Sequence, residues 1–151
     1  ETPELNRDNV KLEVIGQIYR LPENVQEHLR KSIATLSKNN GLTLVMALSY
    51  GGRTEIVDAV RSIAAKAKAR ELDPADITEQ VVAQHLYTRN IPDPDLLIRT
   101  SGEMRVSNFL LWQISYAELV ITQTLWPDFR KPQFYEALEE YHRRHRRFGG
   151  L

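Results

Sequence analysis

The chain has 151 residues, with 20 basic and 20 acidic side chains. This length suffices for one domain with a real core, and the balanced charge excludes the general attraction to nucleic acid that a basic protein has. The sequence contains no cysteine, which excludes disulfides, thiolate catalysis and cysteine-ligated metals and fits a cytoplasmic protein. No apolar run is long enough for a membrane span.

The first part of the chain predicts strands that alternate with helices. Residues 10–16 alternate apolar and polar side chains, which is typical of a strand. Pro22 suits the first turn of a helix that ends at residues 39–41. The continuous apolar run 42–48 predicts a central parallel strand that is buried on both faces.

The same alternation continues to the end of the chain. In order, the patterns predict a helix over 56–67, a helix over 78–86, a strand over 96–98, a helix over 109–116, a strand over 119–122 and a helix over 132–147. We therefore predict one α/β domain with a mostly parallel central sheet and flanking helices.

Polar loops follow two of the predicted strands, at residues 49–54 and 99–108. Ligands of parallel sheets bind beyond the carboxyl ends of the strands, so we expect both loops at one edge of the sheet. The first loop contains Gly51-Gly52-Arg53, which lacks the spacing of a phosphate-binding motif. A tight strand-to-helix turn is the favoured interpretation.

The second loop is the main candidate site, because Arg99, Arg105 and Ser107 follow a buried strand. Guanidinium and hydroxyl groups bind phosphate oxygens, and an arginine near a core needs an anion. The alternative is that the arginines form structural ion pairs with nearby acidic side chains such as Glu103 and Glu118.

Two further features leave alternatives open. Glu118 lies in an otherwise apolar stretch, so it either ligates Mg²⁺ or pairs with an arginine. The basic run at 142–147 is explained by a solvated helix end or a subunit contact. Nucleic-acid binding is disfavoured, because the overall charge is zero and no aromatic side chains are interleaved.

Five stretches of the sequence resemble the cis-prenyltransferase family of the undecaprenyl diphosphate synthase type. They are Tyr-Gly-Gly-Arg-Thr-Glu-Ile at 50–56, the segment 95–113, Tyr-Ala-Glu-Leu at 116–119, Leu-Trp-Pro-Asp-Phe at 125–129 and Arg-Arg-Phe-Gly-Gly at 146–150. They occur in the order that the family has, and the likeness extends over essentially the whole chain.

This resemblance implies an Mg²⁺-dependent transferase. Such an enzyme adds isopentenyl diphosphate repeatedly to farnesyl diphosphate, with each new double bond cis. The product would be a long-chain polyprenyl (undecaprenyl) diphosphate, a precursor of the lipid carrier for cell-wall synthesis. The resemblance also implies a cytoplasmic homodimer, without a nucleic-acid partner, that contacts the membrane peripherally when product is released.

The resemblance further implies roles for individual positions. Arg99, Arg105 and Ser107 match the positions that hold isopentenyl diphosphate, and Glu118 matches an acidic position linked to Mg²⁺ and the subunit interface.

The resemblance implies roles for two other sets of positions. Arg147 and Gly149 match a C-terminal Arg-x-Gly motif that is expected to reach into the partner's site. Leu42 and Leu44 match positions that line the product tunnel, although ordinary core packing explains them equally well.

One family motif, Asp-Gly-Asn-Gly-Arg, does not occur among these residues. In the family it carries the aspartate that is central to metal binding and catalysis. We therefore expect residues 1–151 to be the C-terminal portion of a single cis-prenyltransferase domain, and we expect this portion alone to be inactive. The alternative function is a non-catalytic partner subunit of a cis-prenyltransferase complex.

Overall fold

The structure is a computed structural model that describes residues 1–144. Contacts divide the chain into two compact units, one of residues 1–90 and one that begins at Ile91. The helices are α1 (Thr2–Arg7), α2 (Glu23–Leu36), α3 (Gly52–Lys68), α4 (Glu79–Ala83) and α5 (Lys131–Arg143). The strands are β1 (Lys11–Ile15), β2 (Thr43–Ala47), β3 (Leu96–Arg99) and β4 (Glu118–Ile121).

The first unit is built on the parallel pair β1 and β2. Their register runs from Lys11 opposite Thr43 to Ile15 opposite Ala47. Helix α2 connects the strands and packs on β1, and its last residue, Leu36, is completely buried. A parallel pair needs such a crossover helix, which explains why the strand–helix–strand pattern was readable in the sequence.

Gly16 closes β1 at a position that only glycine tolerates. Its φ is +107°, and a Cβ atom there would collide with the carbonyl oxygen of Leu48 and approach the Cβ of Tyr50. This close approach lets the amide of Gln17 donate to the carbonyl of Ser49 at 3.2 Å. The loops that follow β1 and β2 are thereby held side by side.

At the other end of these strands, Asn9 clamps the chain that enters β2. Its side-chain Nδ2 donates to Asn40 Oδ1 at 2.9 Å, and its Oδ1 accepts from the Asn40 amide at 3.1 Å. Its carbonyl accepts from the Gly41 amide at 3.1 Å. Asn9 has a φ of +56°, a left-handed conformation that asparagine adopts more readily than most residues. The clamp therefore helps to set the register of β2.

A polar network fixes α3 within the first unit. Glu55, which is 1% exposed, accepts from the Tyr50 hydroxyl at 2.5 Å and from the Tyr87 amide at 2.8 Å. Asp58 accepts from the Tyr87 hydroxyl and from Gln17 Nε2. Because the two carboxylates lie one helical turn apart, α3 holds both the end of β1 and the segment after α4.

This network changes two pKa values. Burial and the hydrogen bond to Asp58 raise the pKa of Tyr87 from 10.0 to about 12. The hydrogen bond from Tyr87 lowers the pKa of Asp58, with smaller contributions from Gln17 and Arg61. The neutral phenol and the ionised carboxylate are thus the forms that the fold favours.

The second unit is built on the parallel pair β3 and β4, with Leu96 opposite Glu118 and Arg99 opposite Ile121. Val120 of β4 is buried, as is Ala137 of α5, which packs on β4. The Gln133 side chain caps the start of α5: its oxygen accepts from the Arg130 amide at 3.1 Å.

The α/β class with parallel strands is confirmed, but two sequence predictions were wrong. The run 42–48 is not buried on both faces: Leu42 is 71% exposed and Leu44 is 38% exposed, because the described residues cover the face of β2 that carries them only in part. The segment 109–116 forms turns instead of a helix, because Leu110 has a φ of +45°. Within residues 1–144, none of the helices has the length and apolarity that crossing a bilayer requires.

Replacing Asn9 tests the clamp. Asn9→Gly tolerates the left-handed backbone but removes both side-chain hydrogen bonds, so we expect the free energy of unfolding to fall by about 1 kcal/mol. Urea denaturation monitored by circular dichroism measures this change. Asn24→Ala, at an exposed position of α2, is the control and should leave the stability within about 0.5 kcal/mol.

Replacing Tyr87 tests the polar network through its pH dependence. Since the pKa of Tyr87 is raised in the folded state, its contribution to stability is complete below pH 10.0 and is lost as the pH rises through about 12. Tyr87→Phe should therefore be less stable at neutral pH and lack this alkaline loss. If the unfolding free energy of Tyr87→Phe falls at alkaline pH as steeply as that of the unaltered protein, Tyr87 is not the group that causes the loss.

Candidate functional site

The loop between β3 and β4 has an unusual concentration of left-handed backbone. Ser101, Gly102, Ser107, Asn108 and Leu110 all have φ values between +45° and +65°. Residues other than glycine are rarely held in this conformation, and such strain collects at functional sites. The loop is therefore a candidate binding site of the second unit.

Backbone hydrogen bonds attach the start of this loop to the chain after β4. The Ser101 amide donates to the Thr124 carbonyl at 2.9 Å, and the Gly102 amide donates to the Thr122 carbonyl at 2.9 Å. The side chain of Gln123 occupies the space where a Cβ of residue 102 would lie. The loop conformation thus depends on β4 as well as on its own sequence.

A cavity of about 230 Å³ lies between this loop and the two strands. Its charged lining residues are Arg99, Glu103 and Arg105, and its apolar lining residues are Leu97, Ile98, Met104, Val106, Phe109 and Leu119. Such a lining suits a ligand that has an anionic group and an apolar group close together.

Arg99, the last residue of β3, carries the clearest signal of a missing partner. Its side-chain Nε is buried and makes no hydrogen bond. A buried guanidinium donor without an acceptor is costly, and phosphate oxygens are acceptors that match its geometry. Arg99 forms no ion pair with the described residues, although its charge helps to lower the pKa of Glu103.

Arg105 differs from Arg99, because it already has an anionic partner. Its Nε donates to Glu103 Oε2 at 2.6 Å, and Arg105 is mostly exposed. This hydrogen bond and the charge of Arg105 lower the pKa of Glu103, and the same contact raises the pKa of Arg105. A ligand anion would compete with Glu103 for the guanidinium in a solvated environment, where the pair itself contributes little to stability.

The structure brings together only part of the predicted trio. Arg99 and Arg105 line the same cavity, whereas Ser107 is exposed and is not among the residues that line it. Ser107 has a φ of +53°, a backbone conformation that its sequence pattern does not predict.

A second cavity of about 600 Å³ shares Ile98 and Arg99 with the first. Its other lining residues are Thr100, Trp126, Phe129 and Phe134. The rings of Trp126 and Phe129 stack with centroids 6.0 Å apart and an interplanar angle of 11°. Arg99 therefore borders one cavity with charged and apolar lining residues and one cavity whose lining is largely aromatic. The sequence predicted no role in a site for these aromatic residues.

Glu118 is engaged by an arginine, which was one of its two predicted roles. Its Oε2 accepts from Arg144 Nη1 at 3.1 Å. Among the described residues, no group of three histidine, aspartate or glutamate side chains could hold a metal ion. Residues 1–144 thus do not fit a complete Mg²⁺ site, and ligation of Mg²⁺ by Glu118 stays a prediction.

The remaining predicted positions fall into two groups. Leu44 and Met46 of β2, and Leu42 directly before it, are partly or largely exposed and lie two residues apart, so they share one face. This face is apolar, as a tunnel wall would be, but its role stays a prediction. Arg147 and Gly149 lie outside the described residues.

Parallel strands that lead into an arginine-lined cavity are typical of α/β proteins that bind a phosphorylated ligand. Comparison with known proteins then specifies the family. A family model described as putative undecaprenyl diphosphate synthase matches residues 1–149, and the chain belongs to this prenyltransferase family. The resemblance found in the sequence motifs is thereby confirmed.

The chain is similar to curated and solved members of this family. It is 46% identical over 153 residues to an isoprenyl transferase of Streptococcus agalactiae, covering 99% of this chain but 61% of that relative. It matches lavandulyl diphosphate synthase of Lavandula x intermedia, solved in complex with dimethylallyl diphosphate, with a TM-score of 0.95 and 41% identity, over 99% of this chain and 65% of that one.

A probable undecaprenyl diphosphate synthase from Campylobacter jejuni gives a TM-score of 0.84 and 33% identity, over 99% of this chain and 67% of that chain.

Adding a side chain at Gly102 tests the attachment of the loop to β4. Gly102→Ala combines a left-handed backbone with a collision against Gln123, so we expect the unfolding free energy to fall by roughly 1–2 kcal/mol. Adding Gln123→Ala removes the collision and should recover part of this loss, as measured by chemical denaturation. Purely additive effects of the two substitutions would argue against the contact.

Proposed function

We propose that the full-length protein is a cis-prenyltransferase, which condenses isopentenyl diphosphate onto farnesyl diphosphate to make a long-chain polyprenyl (undecaprenyl) diphosphate. The observation that carries this proposal is Arg99, whose buried, unpaired guanidinium nitrogen borders two cavities with apolar walls. A prenyl diphosphate has the matching chemistry, an anionic head joined to a short hydrocarbon. The lavandulyl diphosphate synthase, which was solved with dimethylallyl diphosphate, supports this class of ligand.

In this proposal Arg99 and Arg105 hold the diphosphate of isopentenyl diphosphate, and Ser107 contributes its hydroxyl from the same loop. Arg105 would exchange Glu103 for the ligand, since their ion pair is solvent-exposed. The apolar residues Leu97 and Leu119 would contact the isopentenyl group. These contacts fix the double bond relative to the allylic substrate, and such positioning lowers the barrier of a reaction between two molecules.

The reaction transfers an allylic group. The bond between the allylic carbon and its diphosphate oxygen breaks, the isopentenyl double bond supplies the electrons of the new carbon–carbon bond, and a proton leaves the product. Negative charge grows on the departing diphosphate, so cationic groups near it stabilise the transition state. The Mg²⁺ dependence that the resemblance implies stays a prediction for the full-length enzyme.

The other predicted features belong to the same proposal. Leu42 and Leu44 would face the growing chain in an apolar tunnel, and Arg147 and Gly149 would reach the site of the partner in a homodimer. The enzyme would work in the cytoplasm, contact the membrane peripherally when it releases product, and supply the lipid carrier for cell-wall synthesis.

Kinetics of Arg99 variants test the proposal. In the full-length protein, Arg99→Ala should raise the KM for isopentenyl diphosphate by roughly 30-fold or more, because a charged hydrogen-bonding group in a partly buried site is lost. Incorporation of radiolabelled isopentenyl diphosphate measures this. Arg105→Ala should raise the same KM by a smaller factor, because that guanidinium is solvent-exposed.

Arg143→Ala is the matched control, since Arg143 is exposed and lines neither arginine cavity. It should leave the KM within about twofold. If the full-length protein incorporates no label alone but does so when mixed with a second cis-prenyltransferase subunit, the partner-subunit function replaces the catalytic one.

A further inference from the structure

The connection between α2 and β2 contains a chemically reactive dipeptide. Asn40-Gly41 is the one Asn-Gly pair in the chain, and both residues are exposed. In such a pair the glycine nitrogen can attack the side-chain amide of the asparagine, because no side chain on the glycine hinders the approach. Asn39, the residue before the pair, is followed by another asparagine and lacks this freedom.

Deamidation of this pair needs only water. The Gly41 nitrogen bonds to the side-chain carbonyl carbon of Asn40 and loses its proton, while the bond from that carbon to the amide nitrogen breaks and ammonia leaves. Water then opens the five-membered imide at one of its two carbonyls. The products are aspartate, with the original main chain, and isoaspartate, whose main chain runs through the former side chain.

The Asn9 clamp holds the groups that would react. The Asn9 carbonyl accepts from the Gly41 amide at 3.1 Å, so the attacking nitrogen has its N–H in a hydrogen bond. The Asn9 Nδ2 donates to Asn40 Oδ1 at 2.9 Å, and the Asn9 Oδ1 accepts from the Asn40 amide at 3.1 Å. Proton loss from Gly41 and rotation of the Asn40 side chain both require these hydrogen bonds to open.

The same contacts explain why a reactive pair is present at all. A Cβ atom on residue 41 would lie 2.6 Å from the Asn9 carbonyl oxygen and 3.1 Å from the Asn9 Nδ2. Only glycine therefore fits against Asn9 at this position. The fold requires the residue that makes Asn40 reactive, and the clamp that requires it also restrains the reaction.

The isoaspartate product would act on β2. Its longer main chain adds one atom directly before Gly41, where two backbone hydrogen bonds set the pairing of β1 with β2. These are the bond from the Gly41 amide to the Asn9 carbonyl and the bond from the Lys11 amide to the Leu42 carbonyl at 2.8 Å. An added bond length cannot keep both contacts in register.

We propose that Asn40 is a deamidation site of this protein and that the side chain of Asn9 keeps the reaction slow in the folded state. The clamp thus has a second role besides setting the register of β2. The reaction proceeds when the connection before β2 opens, and isoaspartate then prevents the clamp from forming again. This inference does not depend on the proposed function.

Peptide mapping of the incubated full-length protein tests the site and its protection. Fragment-ion mass spectrometry measures the deamidated fraction at Asn40 over time in mildly alkaline buffer. The folded protein should react about tenfold or more slowly than the same protein unfolded in urea, because reaction requires local opening. Asn9→Gly, which removes both side-chain hydrogen bonds, should accelerate the folded-state reaction about fivefold or more.

Asn9→Asp separates the two side-chain hydrogen bonds. The aspartate keeps an acceptor for the Asn40 amide but has no donor for Asn40 Oδ1, so its rate should fall between those of the unaltered protein and Asn9→Gly. Isomerisation of Asp8 in the Asn9→Gly variant does not change the mass and is not counted.

Tyr87→Phe is the matched control for a general loss of stability. It weakens the same unit through the α3 network, away from Asn40, and should leave the rate at Asn40 within about twofold. Equal acceleration in Tyr87→Phe and Asn9→Gly, or none in Asn9→Gly, would overturn the protection by Asn9. Absence of product at Asn40 in the unfolded protein would overturn the site itself.

The two products test the effect on β2. Ion-exchange chromatography of the incubated protein separates the isoaspartate form, and Asn40→Asp supplies the aspartate form. The isoaspartate form should unfold at a lower urea concentration than Asn40→Asp, because only its main chain is longer. Equal unfolding midpoints would overturn the proposed effect on the register, while the rates at Asn40 still decide the site and its protection.

Discussion

The second unit depends on one constraint, the placement of a guanidinium at the buried end of a parallel strand. Arg99 ends β3 with its Nε buried and unpaired, and its carbonyl accepts from the Thr122 amide beyond β4. The strand pair thus fixes the backbone of Arg99 while its side-chain Nε lacks an acceptor. A fold that tolerates such a cost normally recovers it when an anion binds. The strained loop and both cavities surround this residue.

The first unit uses its polar groups in the opposite way. Glu55 and Asp58 accept hydrogen bonds from Tyr50, Tyr87 and Gln17, so the two carboxylates hold α3 in place and need no donor from a ligand. Fully satisfied networks of this kind specify one packing. The contrast between the satisfied carboxylates and the unsatisfied arginine is what distinguishes structural polar groups from candidate binding groups in this chain.

The basic C-terminal run shows how position decides what a charge does. Arg143 and Arg144 are adjacent, yet one forms an exposed pair within α5 and the other joins α5 to β4. Glu118, the first residue of β4, is the partner of Arg144. The function of a charged residue here follows from the number of elements that it touches, which residue type alone does not reveal.

The sequence by itself determined the α/β class, the parallel strands and the family, because periodicity and local motifs carry that information, and it predicted Arg99 and Arg105 as candidate binding residues. Only the tertiary structure decided that Arg144 pairs with Glu118, since the two lie 26 residues apart. It also decided that residues 109–116 form turns, because the left-handed backbone at Leu110 overrides an apolar pattern that favours a helix. Burial of β2 was misjudged for a related reason: an apolar run specifies a strand, but its neighbours decide how much of it is covered.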